Sequence, residues 1–214
     1  MRFRRGKDNG FNLLELGMVI AITAILFGVV ILRARSARRW EPIRRCQSHA
    51  RQIGMALDLY STDHGGWLPY ADGSPDPSAS LALLYPETVS ASMLFRCPVT
   101  DIRPRVEFVE IGGARLPRFE ETPYGSSYGY DRRVNPRKVG PDHAVLADMD
   151  GTGPVDPDST TTNHPGGQNV LYLDGHVEWR TTNAGSDNLR DNIYTAEAGW
   201  DPDTDSCVKR TVGD

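Results

Sequence analysis

Two histidines and an aspartate near residue 170 are the first side chains in this sequence that could do chemistry together. His164, Asp174 and His176 lie in one short segment, and a histidine held beside an aspartate can act as a general base. No serine or cysteine stands in a recognisable nucleophile context, and no zinc motif such as H-E-x-x-H occurs. We therefore favour a structural role over a catalytic one. In that role His164 braces a hairpin, Asp174 forms its turn, and the chain catalyses no reaction.

A second group is acidic and lies on a segment rich in glycine and proline. Its carboxylates belong to Asp148, Asp150, Asp156 and Asp158. Closely spaced carboxylate oxygens are the ligands that calcium prefers. The segment lacks the glutamate that closes an EF-hand loop, and a solvated acidic loop is the alternative. The sequence thus predicts calcium as its one candidate cofactor.

The third group is made of the cysteines Cys46, Cys97 and Cys207. They are too few for a disulfide scaffold, and no C-x-x-C motif occurs. An exported domain would hold one disulfide and one free thiol, whereas three reduced thiols are the alternative. Their positions in the sequence do not assign the pair.

A β-hairpin is predicted around Asp174-Gly175, between the strand-like runs 169–173 and 176–180. Asp-Gly suits a two-residue type I′ turn, in which both central residues have positive φ. Such a turn pairs Tyr172 with Val177 and Val170 with Trp179. These four side chains would then share one face and pack on a helix.

That helix is predicted from apolar or small residues spaced three and four positions apart. They are Ile43, Cys46, Ala50, Ile53, Leu57 and Tyr60. Turn-forming residues 63–66 end the pattern. Shorter strands are predicted at 105–111, 127–130 and 144–147, with a polar loop over 71–80. The fold class is therefore α+β, with a long N-terminal helix packed on a small antiparallel sheet.

The overall charge indicates which partners to exclude. The chain of 214 residues has 24 Lys+Arg against 28 Asp+Glu, a net charge of -4. This balance gives no electrostatic reason to expect nucleic acid as a partner. Beyond an N-terminal membrane segment that ends at residue 32, 182 of the 214 residues remain, which is enough for one globular domain.

That membrane segment is the uncharged and almost entirely apolar run 16–32. With Phe11 to Leu14 it is about long enough to cross a bilayer as one helix. No A-x-A-like signal-peptide site follows it, so an uncleaved signal anchor is the plain alternative. Glu15 departs from a plain anchor, because a carboxylate in an apolar segment is costly and marks a functional site. If the chain were cut between Gly10 and Phe11, the new ammonium group of Phe11 could pair with Glu15 of a neighbouring copy.

The run Gly10-Phe11-Asn12-Leu13-Leu14-Glu15 resembles the cleavage and methylation motif of type IV pilins and type II secretion pseudopilins. The resemblance implies cleavage after Gly10, N-methylation of Phe11 and filament assembly that depends on Glu15. It also implies a peptidase/methyltransferase, an inner-membrane assembly platform and other pilin-like subunits as partners. The leader would be cytoplasmic and the globular domain periplasmic or extracellular. Asn12 stands where threonine or serine is usual.

The segment from His164 to Asp174-Gly175 is similar to the H-X9-DG domain of prepilin-type proteins from planctomycetes and verrucomicrobia. Residues 46–60, 95–98 and 127–130 also look like that group. Cys46 and Cys97 belong to these similar segments, so the resemblance favours them as the disulfide pair. Some major pseudopilins bind calcium in a C-terminal loop, which supports the calcium prediction by resemblance.

These observations predict a pilin-like chain of five parts. They are a leader (1–10), a membrane-spanning filament-core helix (11–32), its amphipathic continuation (33–64), a β-rich head (65–183) and a tail (184–214). The predicted function is a structural subunit of a type II secretion pseudopilus or a related type IV filament. Two alternatives are a surface module that binds polysaccharide through Trp67, Tyr70 and Trp200, and a membrane-tethered hydrolase.

Overall fold

The computed structural model describes residues 13–72, 74, 77–111, 113–120, 125–148, 164 and 167–181, with the backbone alone for 35–39 and 111. Over these ranges the chain is α+β, with an apolar N-terminal helical segment, further helical residues and small antiparallel sheets. The chain divides into two compact units, Met1–Glu41 and Pro42–Asp214. The first unit contains the apolar helical segment, and the second contains the sheets.

Helix α1 spans Leu13–Asp63 and contains Pro42. Its predicted apolar face is confirmed, because Cys46, Ala50, Ile53 and Leu57 are all buried. The predicted end is also confirmed. Gly65 and Gly66 follow with φ of 64° and 89°, values that favour glycine and stop the helix.

A short helix, α2, spans Pro77–Ala82, and all six of its residues are buried. The prediction of a polar loop over 71–80 is therefore wrong for residues 77–80. Proline suits the first position of a helix, because the backbone N–H that it lacks has no helical partner there. The Ser80 hydroxyl accepts a hydrogen bond from the Ala71 N–H at 3.0 Å, so this small polar side chain is satisfied inside the core.

The strands form two antiparallel sheets. Strands β1 (Val106–Ile111) and β2 (Ala114–Phe119) pair with each other. Strands β3 (Tyr128–Tyr130), β4 (Ala144–Asp148), β5 (Gln168–Tyr172) and β6 (Val177–Arg180) form the second sheet in that order. Strand β2 was not predicted, because its residues ARLPRF contain a proline and two arginines and show no strand-like alternation.

The C-terminal hairpin is present, but its turn and register differ from the prediction. Leu171 pairs with Val177 and Asn169 pairs with Trp179, one residue away from the predicted register. The Gly175 N–H donates to the Tyr172 carbonyl at 2.9 Å. Positive φ is confined to glycines among the described residues, and Gly175 has φ 86°. The loop thus has three residues, a tight turn followed by one left-handed glycine, which is a common hairpin type.

This one-residue shift exchanges the two faces of β5. Leu171 faces α1, where a Cβ built on Gly54 would lie 2.9 Å from a Leu171 methyl carbon. Val170 and Tyr172, predicted to pack on the helix, instead form a separate buried cluster with Ala144 and Ala147 of β4. The prediction for the packing face of β5 is therefore wrong, whereas Val177 of β6 does lie in the main core.

The turn assignment predicts the effect of a substitution at Gly175. A Cβ there would meet nothing closer than the Asp58 carboxylate at 3.9 Å, so Gly175→Ala tests backbone conformation alone. We expect the free energy of unfolding to fall by about 1–2 kcal/mol, the cost of a left-handed conformation for a residue with a Cβ. Denaturant unfolding of the full chain measures this change.

Gly140→Ala is the matched control, because its added Cβ also meets nothing within 4 Å and Gly140 has no positive φ. We expect the free energy of unfolding of this variant to stay within about 0.5 kcal/mol of that of the unmodified chain. An equal decrease in the free energy of unfolding for Gly175→Ala and Gly140→Ala would contradict the turn assignment. Gly175→Asn should recover part of the loss, since asparagine tolerates this conformation better than alanine.

Candidate functional site

The first candidate site is the apolar part of α1. Residues Leu13–Ala34 form a segment of 22 residues that is long and apolar enough to cross a membrane. All of these residues are exposed in the structure. Phe27, for example, is 72% exposed. Apolar surface on this scale marks a membrane or protein interaction site.

Glu15 is the one carboxylate in this segment. The Thr23 hydroxyl donates within the helix to the carbonyls of Val19 and Ile20, both at 2.9 Å. Gly17 and Gly28 have open space where a Cβ would point, so another helix could approach closely there. The predicted cleavage and methylation residues, Gly10 and Phe11, lie outside the described residues.

The second candidate site is a buried cluster of Cys46, Cys97, Asp148 and His164. Each residue offers one sulfur, nitrogen or oxygen atom, and these four atoms all lie within 4.8 Å of one another. Cys46 lies on the buried face of α1, Cys97 follows the 3₁₀ turn Ser92–Phe95, and Asp148 ends β4. His164 forms an isolated β-bridge with Gly167 ahead of β5. The fold therefore brings together side chains from four separate stretches of the chain.

The Asp148 carboxylate lies at the centre of the contacts in this cluster. Its Oδ1 accepts a hydrogen bond from Cys46 Sγ at 3.1 Å, and its Oδ2 lies 3.6 Å from His164 Nε2. Cys97 Sγ is 3.3 Å from the same His164 nitrogen. Asn169 of β5 supports Asp148 by donating from its backbone N–H at 2.9 Å and its side-chain Nδ2 at 2.8 Å. The Tyr128 hydroxyl lies 3.2 Å from Cys46 Sγ.

These contacts shift the pKa values of the cluster in different directions. The pKa of Cys97 is lowered, with its interaction with the neighbouring Cys46 as the largest cause and its hydrogen bond with His164 next among those that lower it. Burial raises the pKa of Cys46 and of Asp148. Burial opposes protonation of His164, but its hydrogen bond with Cys97 and the charge of Asp148 raise its pKa. The protonation states of Cys97, His164 and Asp148 therefore depend on one another.

A cysteine, a histidine and an aspartate together suggest a catalytic triad, but the geometry differs from one. In a triad the carboxylate binds one ring nitrogen of the histidine and the nucleophile binds the other. Here Cys97 Sγ and Asp148 Oδ2 both approach Nε2 of His164. Cys97 also exposes 0% of its surface. The ligand atoms of the four residues are instead buried and lie within 4.8 Å of one another, which is an arrangement suited to binding an ion.

His164 and Asp174, considered above as a catalytic pair, have different surroundings. His164 is 1% exposed and its ring packs edge-on against Trp179 of β6 at 6.0 Å. The Asp174 side chain is 40% exposed and contacts His176 Nδ1. The His176 backbone N–H donates to this carboxylate at 3.0 Å and lowers its pKa. Asp174 and Gly175 belong to the turn, as predicted, although the turn is of a different type.

The predicted calcium ligands are described only in part. Asp148 is fully buried and its carboxylate contacts Cys46 and Asn169, whereas Asp150, Asp156 and Asp158 lie outside the described residues. The calcium site stays a prediction.

The predicted disulfide partners, Cys46 and Cys97, lie in one cluster but are free thiols in this structure. Cys207 lies outside the described residues. The bridge between Cys46 and Cys97 stays a prediction.

The aromatic residues of the alternative binding module are described in part. Trp67 and Tyr70 are 46% and 52% exposed, but each ring carries an arginine over its face. Arg137 lies 5.1 Å from the Trp67 ring centre and Arg132 lies 5.4 Å from that of Tyr70. These guanidinium groups occupy ring faces that a sugar would stack on. Trp200 lies outside the described residues.

Sequence reasoning missed the contribution of Asn169. The sequence predicts only a strand position for Asn169, yet Asn169 donates twice to Asp148 and once to the Ile43 carbonyl at 3.3 Å. An asparagine inside an apolar strand was the signal that could have found it, since a buried amide needs hydrogen-bond partners.

Comparison with protein-family models, with curated proteins and with solved structures gave no match. The functional assignment therefore depends on the residues of this chain.

The state of the cluster predicts how the cysteines react. Cys46 and Cys97 are free and fully buried, so an alkylating reagent should modify neither in the folded full chain. In denaturant with a chelator and no reductant, both should become alkylated, as peptide mass spectrometry will show. A disulfide-linked peptide containing Cys46 and Cys97 would contradict this expectation and support the bridge.

Proposed function

We propose that this chain is a structural, pilin-like subunit, held in a membrane and assembled into a filament through the apolar part of α1. The observation that carries the proposal is the segment Leu13–Ala34, which is 0% buried and contains a carboxylate at Glu15. A helix of this composition needs an apolar environment over its whole surface, which lipid and neighbouring copies of the helix can supply.

Glu15 supports assembly more specifically than apolar surface does. An unpaired charged side chain in a bilayer is costly, about 2.5–3.5 kcal/mol at the centre of a membrane helix on insertion scales. Cleavage before Phe11 would create an ammonium group four residues from Glu15 in sequence. In a staggered bundle this group of one copy pairs with Glu15 of the next, which neutralises both charges and fixes the register between subunits.

Gly17 and Gly28 are consistent with close packing in such a bundle. A Cβ at either position would meet nothing within 4 Å. Small residues let the backbones of neighbouring membrane helices approach, and van der Waals contact then drives their association. The filament is a type II secretion pseudopilus or a related type IV structure, and the sheet-containing unit is its exported head.

Processing provides the first test of this proposal. The full chain is produced in bacteria that have a prepilin peptidase, recovered from the membrane and analysed by intact mass and N-terminal sequencing. We expect a chain that begins at methylated Phe11. A chain that still begins at Met1, in cells that process another prepilin, would contradict the proposal and indicate an uncleaved anchor.

Assembly is tested separately through Glu15. Glu15→Gln should leave membrane insertion intact but reduce cross-linking between copies by at least about tenfold. A tenfold change in association corresponds to only about 1.4 kcal/mol of association free energy. Glu41→Gln, which changes a carboxylate on α1 beyond the apolar segment, is the matched control. Equal cross-linking by Glu15→Gln and the control would show that Glu15 does not direct assembly.

A further inference from the structure

We propose that Cys46, Cys97, Asp148 and His164 form a structural zinc site that connects helix α1 to the sheet. The site is independent of the filament proposal, since all four residues lie in the unit Pro42–Asp214. Each residue is at most 1% exposed. Charged groups buried in a protein are either paired with one another or coordinate a metal ion, and four potential ligand atoms lie together here.

The separations between the ligand atoms are near those of a tetrahedral site. Zinc bonds of about 2.0–2.3 Å to nitrogen, oxygen and sulfur place neighbouring ligand atoms about 3.3–3.8 Å apart. The observed separations are 3.1 Å from Cys46 Sγ to Asp148 Oδ1 and 3.3 Å from Cys97 Sγ to His164 Nε2. The separation from His164 Nε2 to Asp148 Oδ2 is 3.6 Å. The first and third of these separations end on different oxygens of Asp148, and the four ligand atoms all lie within 4.8 Å of one another. Closing the site around an ion would therefore take shifts of up to about 1 Å.

The ligand types favour zinc over calcium and magnesium. Two sulfurs and an imidazole nitrogen are soft or borderline ligands, which suit zinc, whereas calcium and magnesium take oxygen ligands. Four protein side chains fill the tetrahedral positions and leave none for a substrate. Closed sites of this kind stabilise folds, whereas catalytic zinc sites keep a position open.

The charges of the bound state can be counted. Both cysteines bind as thiolates, Asp148 binds as a carboxylate and His164 binds as the neutral imidazole through Nε2. Two protons, formally those of the thiols, are released to solvent. The site then holds a net charge of about −1. Hydrogen bonds from Asn169 to Asp148 and from the Tyr128 hydroxyl to Cys46 offset this charge and orient the ligands.

A disulfide between Cys46 and Cys97 is the competing use of the same two sulfurs. Zinc requires both as thiolates, so one molecule cannot hold the bridge and the ion together. The two proposals therefore give different metal contents and different masses.

The first test uses the full chain purified in detergent, anaerobically and without chelator. We expect about one zinc per chain by elemental mass spectrometry. Cobalt(II) added to the metal-free, reduced chain should give thiolate-to-cobalt charge-transfer absorption that zinc then displaces. No bound zinc and no charge-transfer absorption would overturn the proposal, as would purification with a Cys46–Cys97 bridge.

Variants assign the ligands. Cys97→Ser and His164→Ala should each reduce bound zinc to less than about one tenth of the unmodified level, because a site with three ligands holds the ion far more weakly. His143→Gln is the matched control. His143 is another buried histidine, and it pairs with Asp131 at 3.1 Å at a place that contains none of the proposed ligands. Zinc retained at the unmodified level in both ligand variants would overturn the assignment.

Asn169→Ala tests the support of Asp148 without removing a ligand. Loss of such an outer hydrogen bond typically weakens metal binding about 10–100-fold. Competition with a chelator of known affinity measures this effect on the folded full chain. The cobalt spectrum should keep its charge-transfer absorption, because both thiolates remain. An unchanged affinity would show that Asn169 does not position the metal ligand.

Discussion

The buried carboxylate of Asp148 constrains how helix α1 and the second sheet pack together. A carboxylate with no exposed surface is costly unless hydrogen-bond donors or cations surround it. Cys46 of α1 contacts one of its oxygens and Asn169 of β5 donates twice to the other. Helix α1, β4 and β5 must therefore meet at this point. A shift of any one of them would leave a buried charge with fewer partners, which costs more than an equal shift in an apolar core.

The elements that the sequence predicts correctly are those whose signal is local. The buried face of α1 follows from the spacing of Cys46, Ala50, Ile53 and Leu57, and its end follows from two adjacent glycines. The errors concern α2, β2 and the hairpin register. Helix α2 consists of small and polar residues that become buried only because the rest of the domain covers them. No local pattern contains that information.

The candidate site shows the same difference between what local sequence signals predict and what only the folded chain reveals. Each of its four side chains was singled out from the sequence, but for three different reasons: Cys46 and Cys97 as disulfide partners, Asp148 as a calcium ligand and His164 as part of the hairpin motif. Zinc motifs are recognised by ligands at short, regular spacings. These ligands come from four distant stretches of the chain, so only the folded structure shows that they converge.

The hairpin turn and the buried cluster depend on each other through the register of β5. The three-residue loop that ends at Gly175 places Leu171 and Asn169 on the face toward α1. A two-residue turn would turn Val170 and Tyr172 toward α1 instead. The Asn169 side chain would then face away from Asp148, and the carboxylate would lose the amide group that donates to its Oδ2. A tyrosine ring would also have to fit over Gly54, where the smaller Leu171 is already in close contact. The left-handed glycine at residue 175 thus sets a register that both the core volume and the buried carboxylate require.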